Sequence, residues 1–145
     1  MTLKITFSAA FLAIGLSTFA VAQETPSPKG SKVYFINLKD GDTVSSPVVV
    51  KFGLAGMGVA PAGLQGDETA ATGHHHLLID SELTGAALKD PVPSDDNHRH
   101  FGKGQTEATI ALPAGTHTLQ LVLADWTHIP HVPPVMSERI KITVK

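Results

Sequence analysis

Apolar residues fall in short runs: Val33–Ile36, Val48–Phe52, Leu77–Ile79, Ala108–Leu112, Leu119–Leu123 and Ile140–Val144. Each is rich in β-branched or aliphatic residues and is bounded by turn formers, as half-buried strands require. Beyond the first 22 residues no stretch keeps its apolar positions on a helical period. Asp40-Gly41-Asp42 and Leu112-Pro113-Ala114-Gly115 are turn signals, glycine supplying positive φ and proline presetting it. The pattern predicts an all-β chain, an immunoglobulin-like antiparallel β-sandwich of six to eight strands.

Alternation assigns faces. Leu119, Leu121 and Leu123 point to the core, which sets His117 on the same face at the start of that strand, as a partly buried structural residue. In His74–Ile79 the alternation is blurred because Leu77, Leu78 and Ile79 are all apolar. Period two puts His74 and His76 on one face and His75 on the other, without saying which faces inward.

Strand direction then gathers the histidines. In a Greek-key sandwich the strand starting at His74 lies antiparallel to 117–124, so its beginning meets the end of the latter near Asp125. Strand 105–112 turns into 117–124 through the Pro113–Gly115 corner and starts at that same pole. The triplet His74, His75, His76, the pair His98 and His100, and the loop pair His128 and His131 are therefore expected at one end, with His117 at the other.

Imidazole is the commonest metal ligand and titrates near neutrality. A His-x-His pair on a strand holds two rings on one side roughly 6.6 Å apart at Cα, close enough to chelate one ion. His74/His76 and His98/His100 both have this spacing. The expected metal ligands are His74, His75, His76, His98, His100, His128 and His131, with Asp80, Glu107, Asp125 and Met136 as supplementary or supporting groups. Thiolate-free, imidazole-rich coordination points to copper or zinc, and the general affinity order favours copper. The competing reading is a histidine cluster that responds to pH with no metal.

Composition narrows the setting. Residues 1–22 carry Lys4, an apolar run and Ala20-Val21-Ala22, the form of a secretory signal cleaved before Gln23. The expected organisation is a signal peptide at 1–22, a flexible lead at 23–31 and a single domain at 32–145, periplasmic or secreted, with no stable membrane anchor after cleavage. The chain has no cysteine, so apolar burial, with metal ligation as an aid, must replace disulfides. A net charge of −2 offers no basic patch for nucleic acid. The alternative partner is an envelope protein or glycan held by the histidine rim.

Other residues read as scaffold. Pro130, Pro133 and Pro134 stiffen the last long connection, Trp126 reads as cover for the end of the core, and Met57 as an apolar plug. No serine stands in a nucleophile-elbow motif and there is no thiol, so binding is favoured over catalysis.

GHHHLLID, NHRHFGKGQTE, LPAGTHTLQLVLAD and HIPHVPPVMSERIKITV, in this order, resemble the bacterial secreted family called domain of unknown function 4399, from about Val33 to Lys145. The resemblance implies a small exported β-domain and carries no activity with it. A weaker similarity links His98, His100, Glu107 and His117 to the metal motifs of cupin barrels. Its spacings depart from the pattern: Gln105 stands where the glutamate is expected, and one residue is missing between Gly115 and His117.

Overall fold

The computed structural model describes residues 24–64 and 71–145; the expected signal peptide lies outside them. Ten strands follow in order: β1 Lys32–Phe35, β2 Thr43–Val44, β3 Val48–Ala55, β4 Gly58–Val59, β5 Thr72–Ile79, β6 His98–Phe101, β7 Glu107–Ile110, β8 Gly115–Ala124, β9 Pro130–Met136 and β10 Ile140–Val144. The described residues contain no α-helix, only a 3-10 turn at Gly85–Lys89. None of their helices is long and apolar enough to cross a membrane. Eight strands exceed two residues, the upper end of the expected count.

Two sheets make the sandwich. One has the order β1-β3-β7; the other runs β2-β10-β8-β5-β4, with β6 also pairing β5 and β9 also pairing β8. Pairing is antiparallel except for the two-residue β2 and β4, which join β10 and β5 in parallel. Val48, Val50 and Phe52 of β3 alternate with exposed residues and meet Leu77, Ile79, Leu119, Leu121, Leu123 and Ile142 from the facing sheet. Fully burying each such side chain stabilises by about 1.5–3 kcal/mol.

The opposite face of β5 and β8 is also covered. Leu78, Val122 and Ala124 form a second apolar layer with Leu83 and Val92 from the connection between β5 and β6. Both faces of β5 are therefore covered, and every residue from Gly73 to Ile79 is buried.

The segment expected to be a flexible lead is partly held. Val132 N–H donates to the Thr25 carbonyl at 2.9 Å and Ser27 N–H to the Val132 carbonyl at 3.0 Å, so Pro26 forms a parallel bridge with β9.

Candidate metal centre

The registers decide which histidines meet. On β5, Leu77 and Ile79 point to the core between the sheets, and two-residue alternation sends His75 the same way and His74 and His76 outward. On β6, His100 stands opposite His76, on the outer side. His128 completes the group from the loop after β8. Its backbone is left-handed, with φ of 73°, a conformation that costs an ordinary residue roughly 1–2 kcal/mol. Asp125 holds it there. One carboxylate oxygen accepts from Thr127 N–H at 2.8 Å, Thr127 Oγ1 at 2.6 Å and Ile129 N–H at 3.1 Å, and the other from Thr25 Oγ1 at 2.6 Å.

Four rings result, each next to the other three. Centroid separations are 4.8 Å for His74–His76 and His100–His128, 5.0 Å for His74–His100, His76–His100 and His74–His128, and 6.1 Å for His76–His128. Nε2 of His74 and Nε2 of His76 are 3.0 Å apart. A tetrahedral zinc ion with bonds of about 2.0–2.1 Å sets its ligand nitrogens about 3.3 Å apart. Ligand atoms of His74, His76 and His100 already lie within 4.8 Å of one another, so these three could hold an ion.

Electrostatics favours the neutral form, which binds metal, at His74, His76 and His100. Burial, then the neighbouring His100 and His128 rings, lowers the pKa of His74 to about 4. Burial, then His74, His100 and His128, lowers His76 to about 2. His100 is shifted down by burial and by His128. Nδ1 of His74, Nδ1 of His76 and Nε2 of His100 are buried with no hydrogen-bond partner.

The other expected ligands lie elsewhere. His75 is buried on the inner face, 5.1 Å from the Phe52 ring, and burial lowers its pKa to about 4. His98 shares the outer face with His100, but its ring is engaged by Ser81 and Asp95. His131 is buried on the inner side. A Cβ on Gly73, which shares the face of His75, would stand 3.0 Å from His131 Nε2, so the sheet separates that ring from His128. Burial lowers its pKa too.

The supporting residues divide likewise. Asp125 serves as the clamp of the His128 loop and contacts no ring of the cluster by hydrogen bond. Asp80 bonds His117 at the far pole. Glu107 is exposed on β7 in the other sheet, opposite Lys51. Met136, across from Val122, packs into the second apolar layer. The cupin-like set of His98, His100, Glu107 and His117 is thereby dispersed. Met57 packs against the core as expected, and Trp126 is 39% exposed. Sequence reasoning missed Gly102, whose missing Cβ leaves room for the His100 ring, and Thr25. Only the glycine after His100 and Phe101 offered a signal.

The fold and site define a two-sheet β-sandwich with a partly buried imidazole cluster, three of whose rings could hold a metal. The family model described as Domain of unknown function (DUF4399) matches residues 50–145, and the chain belongs to that family. All four clustered histidines lie in the matched range. No curated protein matches the chain, and no solved structure does.

Proposed function

We propose that His74, His76, His100 and His128 bind one copper or zinc ion, in a domain exported to the periplasm or beyond. The observation that carries this is the set of four mutually adjacent imidazoles, three of them with their pKa pushed down and ring nitrogens left without partners. A buried polar atom without a partner costs about 1–3 kcal/mol, which coordination would recover. Imidazole ligands without thiolate suit copper and zinc, copper by the general affinity order. Export rests on the signal-like residues 1–22.

Calorimetric titration of the untagged protein with Cu(II) and with Zn(II) tests the reading. One equivalent should bind, and His74→Ala/His76→Ala should weaken it by at least about 100-fold, about 2.7 kcal/mol. His98→Ala and His117→Ala should leave it unchanged. Weak binding of several equivalents that ignores the double substitution would overturn the site. Export is checked by N-terminal sequencing of the extracytoplasmic protein, which should begin at Gln23.

A further inference from the structure

Away from the four rings, Ser81, His98 and Asp95 form a hydrogen-bonded chain. Ser81 Oγ is 2.7 Å from His98 Nε2, and His98 Nδ1 is 2.8 Å from Asp95 Oδ1. An ionised carboxylate only accepts, so Nδ1 donates to Asp95, and a ring with its single proton there has Nε2 placed to accept from the Ser81 hydroxyl. That is the tautomer and order of a nucleophile, a general base and the group that orients the base.

Each member is fixed independently. Asp95 Oδ1 also accepts from Asn97 N–H at 2.8 Å and His98 N–H at 2.9 Å. Asn97 is tied to Ile79 twice, by its side-chain amide and by its carbonyl, both at 2.8 Å. His98 stands in β6 opposite Leu78. Ser81 follows the end of β5, where Asp80, with φ of 53°, turns the chain, and Arg139 Nη2 donates to the Ser81 carbonyl at 2.6 Å. The two backbone bonds to Asp95 suffice to close its turn. The further bonds through the His98 ring to Ser81 are what a reactive serine requires.

We propose that Ser81 is the nucleophile of an acyl-transfer site, with His98 as general base and Asp95 as its orienting partner, acting on small uncharged carboxylic esters. The ester class follows from the chemistry of the triad, since an ester carbonyl carbon is the electrophile an activated hydroxyl attacks; Leu78 opposite His98 and Leu83 two residues beyond Ser81 are buried and support the pair from beneath. Oγ bonds to the ester carbonyl carbon as its proton passes to His98 Nε2. The C–O bond then breaks, and the alcohol leaves with that proton. Water, deprotonated by the same nitrogen, attacks the acyl-serine, releasing the acid and restoring Ser81.

A fluorophosphonate probe tests this directly, since attack by Oγ forms an O–P bond as fluoride departs. Simple ester turnover would be confounded by the other imidazoles. Intact mass, with chelator present, should show one adduct per chain on the wild type and none on Ser81→Ala. His98→Ala and Asp95→Asn should label at least about tenfold more slowly. The labelling rate should be the same with chelator and with one equivalent of Zn(II), which separates this site from metal binding. The chain has no cysteine, so Ser81→Cys gives a second measurement. Alkylation of that variant by iodoacetamide should slow at least about tenfold when His98→Ala is added. An unlabelled wild type, or a thiol alkylation rate in the Ser81→Cys protein that is indifferent to His98, overturns the proposal.

Discussion

At the Ala124 end of β8 four imidazoles face one another, whereas at the Gly115 end His117 faces oxygen on both sides, Asp80 Oδ2 at 2.7 Å from Nδ1 and the Pro113 carbonyl at 2.9 Å from Nε2. Two acceptors call for two N–H donors, so His117 is favoured as the imidazolium, and its pKa is raised, first by the bond to Asp80. In the cluster, burial and neighbouring rings act in the opposite sense. The same side chain thus keeps a proton at one pole and refuses it at the other. The difference lies in the partners supplied by the connections, a carboxylate in one place and further rings in the other.

Acidification gives the largest test of this contrast. Below about pH 6.5 the unfolded chain protonates His74, His75 and His76, while the fold resists until about pH 4 or lower, so metal-free stability falls as pH falls. Each group steepens the loss by up to about 1.4 kcal/mol per pH unit. Urea unfolding with chelator between pH 7 and 5 should show the slope, and His76→Leu should flatten it; an unchanged slope would break the comparison.

Close packing behind the rings supplies the next effect. A Cβ at Gly73 would stand 2.6 Å from the Ala124 carbonyl oxygen and 2.9 Å from Leu123 Cγ. Gly73→Ala should therefore cost about 1–3 kcal/mol in thermal or urea unfolding. Gly102→Ala should instead displace the His100 ring and weaken metal binding more than it lowers stability.

His75→Leu sharpens the distinction between the two faces of β5. Neither ring nitrogen of His75 has a partner within the core, so the substitution should stabilise the protein by about 1 kcal/mol and leave the metal isotherm unchanged. A loss of metal affinity would show that the sheet does not insulate the two faces.

The smallest effect belongs to the far pole. Because the pKa of His117 is raised, its stabilisation is full below about pH 6.5 and disappears as pH rises through its folded value. Asp80, shifted down, contributes above its ordinary range and loses this only in acid; burial opposes that shift, and the bonds from His117 and Thr118 outweigh it. Asp80 is partly exposed, so solvent screening limits the pair to about 1 kcal/mol or less. Asp80→Asn should remove about that amount at pH 6 and less at pH 9, where the charge pair with His117 is gone and only the bonds from Thr118 remain to be weakened, measured by unfolding.

Much of this was legible in the residues. Six of the strands and the core face of β8 follow from alternation, whereas β9, read as a proline-stiffened connection, pairs with β8; the meeting of β5, β6 and the 125–131 loop follows from strand direction. The face of each triplet histidine did not, because the connection carrying Leu83 and Val92 covers the outer side of β5 and erases the polar alternation that would have marked it. His131 misled because the register shifts between Leu123 and Ala124 where β9 pairs with β8, and its ring lies on the inner side. Spacing put His98 with His100, but the Asp95 turn supplied a nearer partner. Such a turn joins residues through backbone geometry that no short motif encodes.

The bond from Thr25 to Asp125 also dictates where the chain can be extended. Thr25 is tied beside the loop bearing His128, whereas Lys145 bonds Val44, past the opposite end of β8. An oligohistidine handle at the front would add competing imidazoles at the cluster's own doorway. Affinity handles, dyes and surface tethers belong behind Lys145.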